Sequence, residues 1–437
     1  MSTRGWLIGL LAVGSGLTLT AIGCSSASGS GSQYSSGTGG GSSGSGGSGG
    51  LLNGGGGTGN GQGGVLNAPP PCNPTDPTAD TDGDGWSPQD GDCNDCTAQM
   101  NPGAYDYPGN NVDEDCNGVP DDEPTGCDQG LPLDGNNPMD AAKALGLCRI
   151  AQPNVVGPQR TWGVLSAQYV FADGSTQSQV PDQSGGYYST CTGPGGTGSP
   201  PNPMSHGVLP SFGSAVGPRD GASLVALSSG VARQGINGDS PGGASMCTRS
   251  GTPPGFPTPS TAACPGQQID DTPVANDPMA LELVIRAPSN AKSLSFDFDF
   301  YTYEYPGFIC TQYNDFFVAL LYSQNAQVPP NKNVSFDSKG NPVSVNNGFL
   351  EACAPGTFNG KTFQCSLGTS ELNGTGFEGH AATGWLQTKT PITPGEEFTI
   401  RFAIWDMGDE VLDSTVLIDD FKWDVDQGET ATVRPPS

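Results

Sequence analysis

Apolar residues recur at every second position through much of the second half of this chain. Across 293–303, Leu294, Phe296, Phe298 and Phe300 share one face, while Ser295, Asp297 and Asp299 share the other. That alternation predicts a half-buried strand. The same two-residue period runs through Leu281, Leu283 and Ile285, through Phe316, Val318 and Leu320, and through Phe398, Ile400, Phe402 and Ile404. Residues 333–346 predict a hairpin, with Val334 and Phe336 facing Val343 and Val345 across a turn at Ser338-Lys339-Gly340-Asn341. One short helix is predicted: Asn137 caps it, Pro138 opens it, 141–145 form the body and Gly146 stops it. No long helical pattern separates the strands, which disfavours parallel βαβ units. The predicted fold is mainly β, an antiparallel β-sandwich or jelly-roll-like domain. Residues 172–275, rich in Gly, Pro and Ser, read as long loops and short strands.

The N-terminal pattern is different. Arg4 precedes an apolar stretch at 6–22, short for a membrane span, which reads as a signal segment. It ends in Ala21-Ile22-Gly23-Cys24, which resembles the bacterial lipobox with Ala in place of the usual Leu. Cleavage elsewhere, or retention as an anchor helix, are the competing readings. From 25 to 71 the chain is nearly all Gly and Ser, so a random-coil tether spanning roughly 35–40 Å is expected. The expected division is therefore 1–23 signal peptide, 24–71 tether, 72–130 acidic cysteine-rich module and 131–437 β domain. Thirteen cysteines are present. With Cys24 lipidated, the other twelve are disulfide candidates: Cys72, Cys93, Cys96, Cys116, Cys127, Cys148, Cys191, Cys247, Cys264, Cys310, Cys353 and Cys365. Such usage points to an oxidising compartment, with the protein lipid-anchored at the outer membrane or cell surface and touching the membrane only through that lipid.

Charge sharpens the picture. The formal net charge is −28, and no Lys or Arg occurs between Arg4 and Lys143, whereas 76–134 holds 14 Asp and 2 Glu. Nucleic acid is thereby disfavoured as a partner, and divalent cations are favoured. Asp80, Asp82 and Asp84 occupy positions 1, 3 and 5 of a loop with Gly85 at position 6 and the Trp86 carbonyl at position 7. That spacing suits calcium. An EF-hand would place Glu at position 12; here Gly91 stands between Asp90 and Asp92, and no amphipathic helix flanks the loop. A second loop offers Asp113, Asp115 and Asn117 before Gly118, with Asp121 following. Asn94 and Asp95 are available to complete either cage. Two calcium ions are expected in this module, which has too few apolar residues to fold by burial alone. Zinc or copper would call for His or free thiolates, and no His lies here. An acidic linker of repeated turns is the bland alternative.

Residues 80–123 resemble the MopE-like metal-binding motif of myxobacterial surface proteins. The resemblance rests on the DTDGDG run, Asp92-Cys93-Asn94-Asp95, Pro102-Gly103-Ala104 and the 113–122 close. The motif's usual cysteine has no counterpart at 108–110, and Cys96 is the candidate replacement. Residues 131–426 resemble the choice-of-anchor L domain through Tyr303-Glu304-Tyr305-Pro306-Gly307-Phe308, Tyr313-Asn314-Asp315-Phe316-Phe317, Ile404-Trp405-Asp406-Met407-Gly408-Asp409 and Asp413-Ser414-Thr415-Val416. This resemblance implies an extracellular β domain. Glu304, Asn314, Asp315, Asp406, Asp409 and Asp413 fall at strand ends or in loops, where they either gather around one further calcium ion or cap turns. Trp423 reads as core, and Trp385 and Trp405 as core or stacking platform.

Catalytic signatures are absent from the sequence: neither His206 nor His380, the two histidines, sits in a known catalytic motif. No catalytic residue is assigned. The expected function is a non-catalytic, calcium-binding surface lipoprotein contacting carbohydrate, matrix or protein. The alternative is a secreted acid hydrolase of the glycosidase type, using paired carboxylates.

Overall fold

The computed structural model describes residues 72, 74–133, 135–176, 203–235, 246, 248–257, 264, 272–346 and 349–435. The expected signal segment, Cys24, the tether and the candidates Cys191 and Cys247 lie outside them. Among the described residues, none belongs to a helix long and apolar enough to cross a membrane.

The strands are β1 (Gly163–Val170), β2 (His206–Leu209), β3 (Leu224–Ser228), β4 (Arg249–Gly251), β5 (Val274–Arg286), β6 (Ser293–Thr302) and β7 (Phe316–Tyr322). There follow β8 (Val343–Ser344), β9 (Gly356–Phe358), β10 (Lys361–Phe363), β11 (Ala381–Ala382), β12 (Leu386–Pro391), β13 (Glu397–Asp406), β14 (Ser414–Asp424) and β15 (Ala431–Val433). One sheet runs β1-β5-β13-β7-β8, with β4 also on β5; the other runs β15-β12-β6-β14-β3-β2, with β11 also on β6. Every named strand pair in them is antiparallel.

The sheets face each other across the predicted apolar stripes. Leu281, Leu283 and Ile285 of β5 and Ile400, Phe402 and Ile404 of β13 meet Phe296, Phe298 and Phe300 of β6 and Val416 and Ile418 of β14. Ring centroids lie 4.9 Å apart for both Phe296–Phe402 and Phe298–Phe317. Burying each such ring contributes on the order of 2–3 kcal/mol. The short helix α1 (Pro138–Ala144) forms as expected, the Asn137 side chain accepting from Met139 N, and its alanines join the same core. Residues 333–346 turn where predicted: Gly340 N donates to Asp337 O at 2.8 Å and Phe336 bridges Pro342. Val334, Val343 and Val345 all enter the core.

Strand β6 departs from expectation because it is buried on both faces. A second apolar layer, including Phe212, Val216, Tyr301 and Phe377, covers the outer side of its sheet. The two carboxylates of β6 on that side are matched within the fold: Asp297 meets Arg219 Nε at 2.9 Å and Gln387 Nε2 at 2.9 Å. Asp299 accepts from Tyr301 Oη at 2.9 Å and Thr383 Oγ1 at 3.1 Å. The outer face of the other sheet is covered likewise. There Trp405 is fully buried beside Phe256 and stacked 5.4 Å from Phe316, so it is core and not a platform.

The acidic segment folds against the sandwich, and the described residues belong to one compact unit. Disulfides pair Cys72–Cys96, Cys93–Cys116, Cys127–Cys148, Cys264–Cys310 and Cys353–Cys365. Asn290, in the β5–β6 turn, accepts from Tyr105 N (2.8 Å) and donates to Tyr105 O (2.9 Å). Trp162 Nε1 donates to Ala104 O at 2.8 Å, and Ser289 Oγ donates to Asn101 Oδ1 at 2.7 Å. Docking on the sandwich is thus a third source of order, beside the disulfides and any bound ion.

Candidate metal centre

The first loop is shaped by two glycines. Gly83 and Gly85 have φ of 82° and 99°, a conformation costly for other residues, and no atom crowds either position. The kinks let Asp80 accept from Gly83 N (2.7 Å) and Gly85 N (3.0 Å). Asp82 Oδ1 accepts from Asp84 N at 3.2 Å, and Asp84 accepts from Trp86 N and Asn101 Nδ2, both at 2.8 Å. From outside the loop, Asp95 holds Thr81 through its N (2.8 Å) and Oγ1 (2.6 Å), and Asp92 Oδ1 accepts from Asn94 N at 2.7 Å.

Three oxygens in this shell have no hydrogen-bond partner although they are buried: Asp82 Oδ2, Asp92 Oδ2 and Asn94 Oδ1. Asp92 is 6 % exposed and Asn94 7 %. Two sets of three carboxylates, Asp80/Asp82/Asp95 and Asp82/Asp84/Asp92, each bring one ligand atom per residue within 4.8 Å of the others. Asp82 is shared by both. Burial, and then the neighbouring carboxylates, push Asp92 up to about 6; burial likewise pushes Asp84 up to about 7. Asp82 is also raised, first by burial and then by the charges of Asp80 and Asp95. The shell is short of positive charge. Asp90 stays outside it, exposed and accepting from Ser87 Oγ at 2.8 Å. The Trp86 ring is buried against Gly103.

The second loop is arranged differently. Asp113 accepts from Asn117 N (3.1 Å) and Gly118 N (2.8 Å), and Asp121 Oδ1 accepts from Gly109 N at 2.8 Å and Asn110 N at 3.1 Å. These two carboxylates hold turns. Asn117 Oδ1 accepts from Val119 N at 2.9 Å. The cation-spaced set here is Asp106/Asp115/Asp122, of which spacing had singled out Asp115 alone. Arg149 already reaches it, pairing with Asp115 at 2.8 Å and Glu123 at 2.7 Å. Neither Asp106, set in a Tyr-Asp-Tyr stretch outside both loops, nor Arg149, distant in sequence, could have been placed here without the fold.

At one end of the sandwich the third acidic group assembles. Glu304 follows β6, Asn314 and Asp315 precede β7, Asp406 ends β13 and Asp413 precedes β14. All five are at least 98 % buried, whereas Asp409 is half-exposed and accepts from Val411 N at 3.1 Å as a turn cap. Asn314 Oδ1 accepts from Asn346 N at 3.1 Å, and Asp315 from Ser414 Oγ at 2.6 Å. Burial, then the charges of Asp315 and Asp409, pushes Glu304 up to about 10; burial also raises Asp315 to about 7 and Asp406 well above the usual carboxylate range. The three sets that meet the 4.8 Å spacing among the described residues all belong to the acidic segment.

Residues 268–422 match the model of a family described as the choice-of-anchor L domain. The match takes in β5 through most of β14, hence the central strands of both sheets and the acidic group at their end. No curated protein and no solved structure matches the chain.

Proposed function

We propose that this chain is a non-catalytic module displayed at the cell surface, whose acidic segment binds calcium in the Asp80–Asp95 shell. The observation that carries the reading is the trio of buried, partnerless oxygens on Asp82, Asp92 and Asn94, set among crowded carboxylates. A buried polar atom without a partner costs roughly 1–3 kcal/mol, and one hard cation satisfies all three at once. Oxygen ligands alone, without His or thiolate, suit calcium. The Asp106/Asp115/Asp122 set is the lesser candidate for a second ion, since Arg149 supplies a positive charge there.

Surface display is supported by the choice-of-anchor L match and by disulfides that persist in oxidising compartments. Lipidation at Cys24, with residues 25–71 as tether, is the proposed means of attachment at the outer membrane or cell surface. Carbohydrate, matrix or protein is the proposed class of partner, on grounds of location alone. The hydrolase alternative needs two carboxylates open to a substrate. Asp299 and Glu371, linked through Tyr301 Oη at 2.9 and 3.5 Å, form a pair, but Asp299 is fully buried.

Calorimetric titration of the full chain with calcium tests the central claim. Heat is expected for the wild type, with that component lost in the Asp82→Asn/Asp92→Asn variant. A wild type that binds no calcium reduces the segment to an acidic spacer.

A further inference from the structure

A second place in the molecule leaves buried oxygens without partners, and it lies in the sandwich. Although the Ser229 hydroxyl and the Asp315 carboxyl lie close to Asp406, its Oδ1 and Oδ2 and Glu304 Oε2 are buried without a hydrogen bond of good geometry. So is the amide oxygen Asn276 Oδ1, which carries no charge and was not part of the acidic group recognised in the sequence. Asn276 is the cross-strand partner of Asp406, where β5 carries one residue more than β13. The extra residue is absorbed at Asp277, which takes φ of 43° and turns its own carboxylate to Met246 N and Thr248 N, both at 2.8 Å. Directly paired residues place their Cβ atoms about 4.5–5.5 Å apart, so the register brings the Asn276 side chain next to that of Asp406. The charges of Asp315 and Asp413 also act on Asp406.

The available counter-charge goes elsewhere. Arg249 pairs with Glu410 at 2.9 Å, and the main charges acting on Glu304, Asp315 and Asp406 are those of other carboxylates. Protons are the simplest remedy for crowded carboxylates, yet a proton serves one acceptor at a time. Here four acceptor atoms without a hydrogen bond of good geometry, on Asp406, Glu304 and Asn276, are distributed over three chain segments. A hard divalent cation gathers several oxygens in one shell and neutralises the charge as it does so.

We propose that the end of the sandwich holds a cation site of its own, for calcium or a similar hard divalent ion, built on Asp406, Asn276 and Asp315 with Glu304 beside them. It is independent of the shell in the acidic segment. Occupied, it ties the ends of β5, β6, β7 and β13 together.

The test uses the full chain with the first shell silenced by Asp82→Asn/Asp92→Asn, so that failure here and failure of that shell are read separately. Melting temperature is measured in chelator and in saturating calcium. The parent is expected to gain stability with calcium. Adding Asp406→Asn should raise the melting temperature in chelator, by relieving repulsion, and abolish the calcium gain, so that the order of the two proteins reverses between conditions. Should Asp406→Asn fail to fold, Asn276→Ala decides, because it removes an oxygen without altering charge and should shift the calcium midpoint upward. No calcium gain in the parent, or the same gain and midpoint in both variants, overturns the proposal.

Discussion

Asp82 and Asp113 show how little a carboxylate's spacing reveals of its task. Both begin or sit within glycine-kinked acidic loops, yet Asp113 spends its oxygens on Asn117 N and Gly118 N, while Asp82 keeps one oxygen buried and unmatched. The difference is decided by backbone geometry a few residues away, which a pattern of Asp and Gly does not encode. Legible in advance was the alternation of Asp80, Asp82 and Asp84 ahead of a turn glycine at Gly85; the second kink, at Gly83, is not singled out by that spacing. Asn276 gave no signal at all, because its position depends on a bulge. One residue on which the first shell leans is Gly103. A Cβ there would meet the Trp86 ring at 2.3 Å, and Trp86 N is held by Asp84. Gly103→Ala should therefore displace the indole, cost about 1–3 kcal/mol and weaken calcium binding together. Urea unfolding with and without calcium checks this; wild-type values for both would mean that the ring relocates freely.

At the scale of elements, alternation located the apolar faces of β5, β6, β7 and β13 and thus the sandwich. It could not show that β6 is covered on its polar side as well, since Asp297 and Asp299 look the same in sequence whether they meet water or Arg219 and Tyr301. Edge strand β2 was equally silent, yet its His206 stacks on Tyr169 of β1, centroids 3.7 Å apart, and so joins the edges of the two sheets. Burial, then the Arg233 charge, lowers His206 to about 4. The ring is neutral in the fold, and its contribution is complete above the unfolded value near 6.5. That contribution is lost as pH falls from about 6.5 toward 4, on the order of 3 kcal/mol in all. The raised carboxylates Glu304 and Asp277, the latter pushed up to about 8 by burial, have the opposite sign, favouring the fold as they protonate. His206→Phe keeps a ring on Tyr169 and removes the charge. Its melting temperature should fall less than the wild type's between pH 6.5 and 4; parallel curves would show that His206 is charged in the native state.

On the scale of the whole molecule, net charge and cysteine usage were readable from composition, but not the way the acidic segment is held. It carries few buried apolar residues, chiefly Trp86, Ala104 and Val112, and was expected to depend on ions and disulfides. The sandwich contributes directly: the Asn290 side chain satisfies both Tyr105 N and Tyr105 O, Arg149 spans Asp115 and Glu123, and Cys148 beyond α1 is bridged to Cys127. Such tethering should make segment and sandwich unfold together, so that the wild type in chelator gives a single calorimetric transition. Asn290→Ala leaves the partly buried Tyr105 N and Tyr105 O without their partner, at roughly 1 kcal/mol each, and the burden falls on the junction, not on either core. The variant should then show an earlier, smaller transition for the acidic segment ahead of the sandwich's own. Calcium at about 100 times its dissociation constant adds roughly 2.7 kcal/mol to whatever unfolds with the shell, which should drive the early transition back toward the main one. A single transition surviving in Asn290→Ala without calcium would mean that the disulfides and the remaining contacts through Trp162, Ser289 and Arg149 suffice to hold the segment in place, and that the contacts made by Asn290 are incidental to its order.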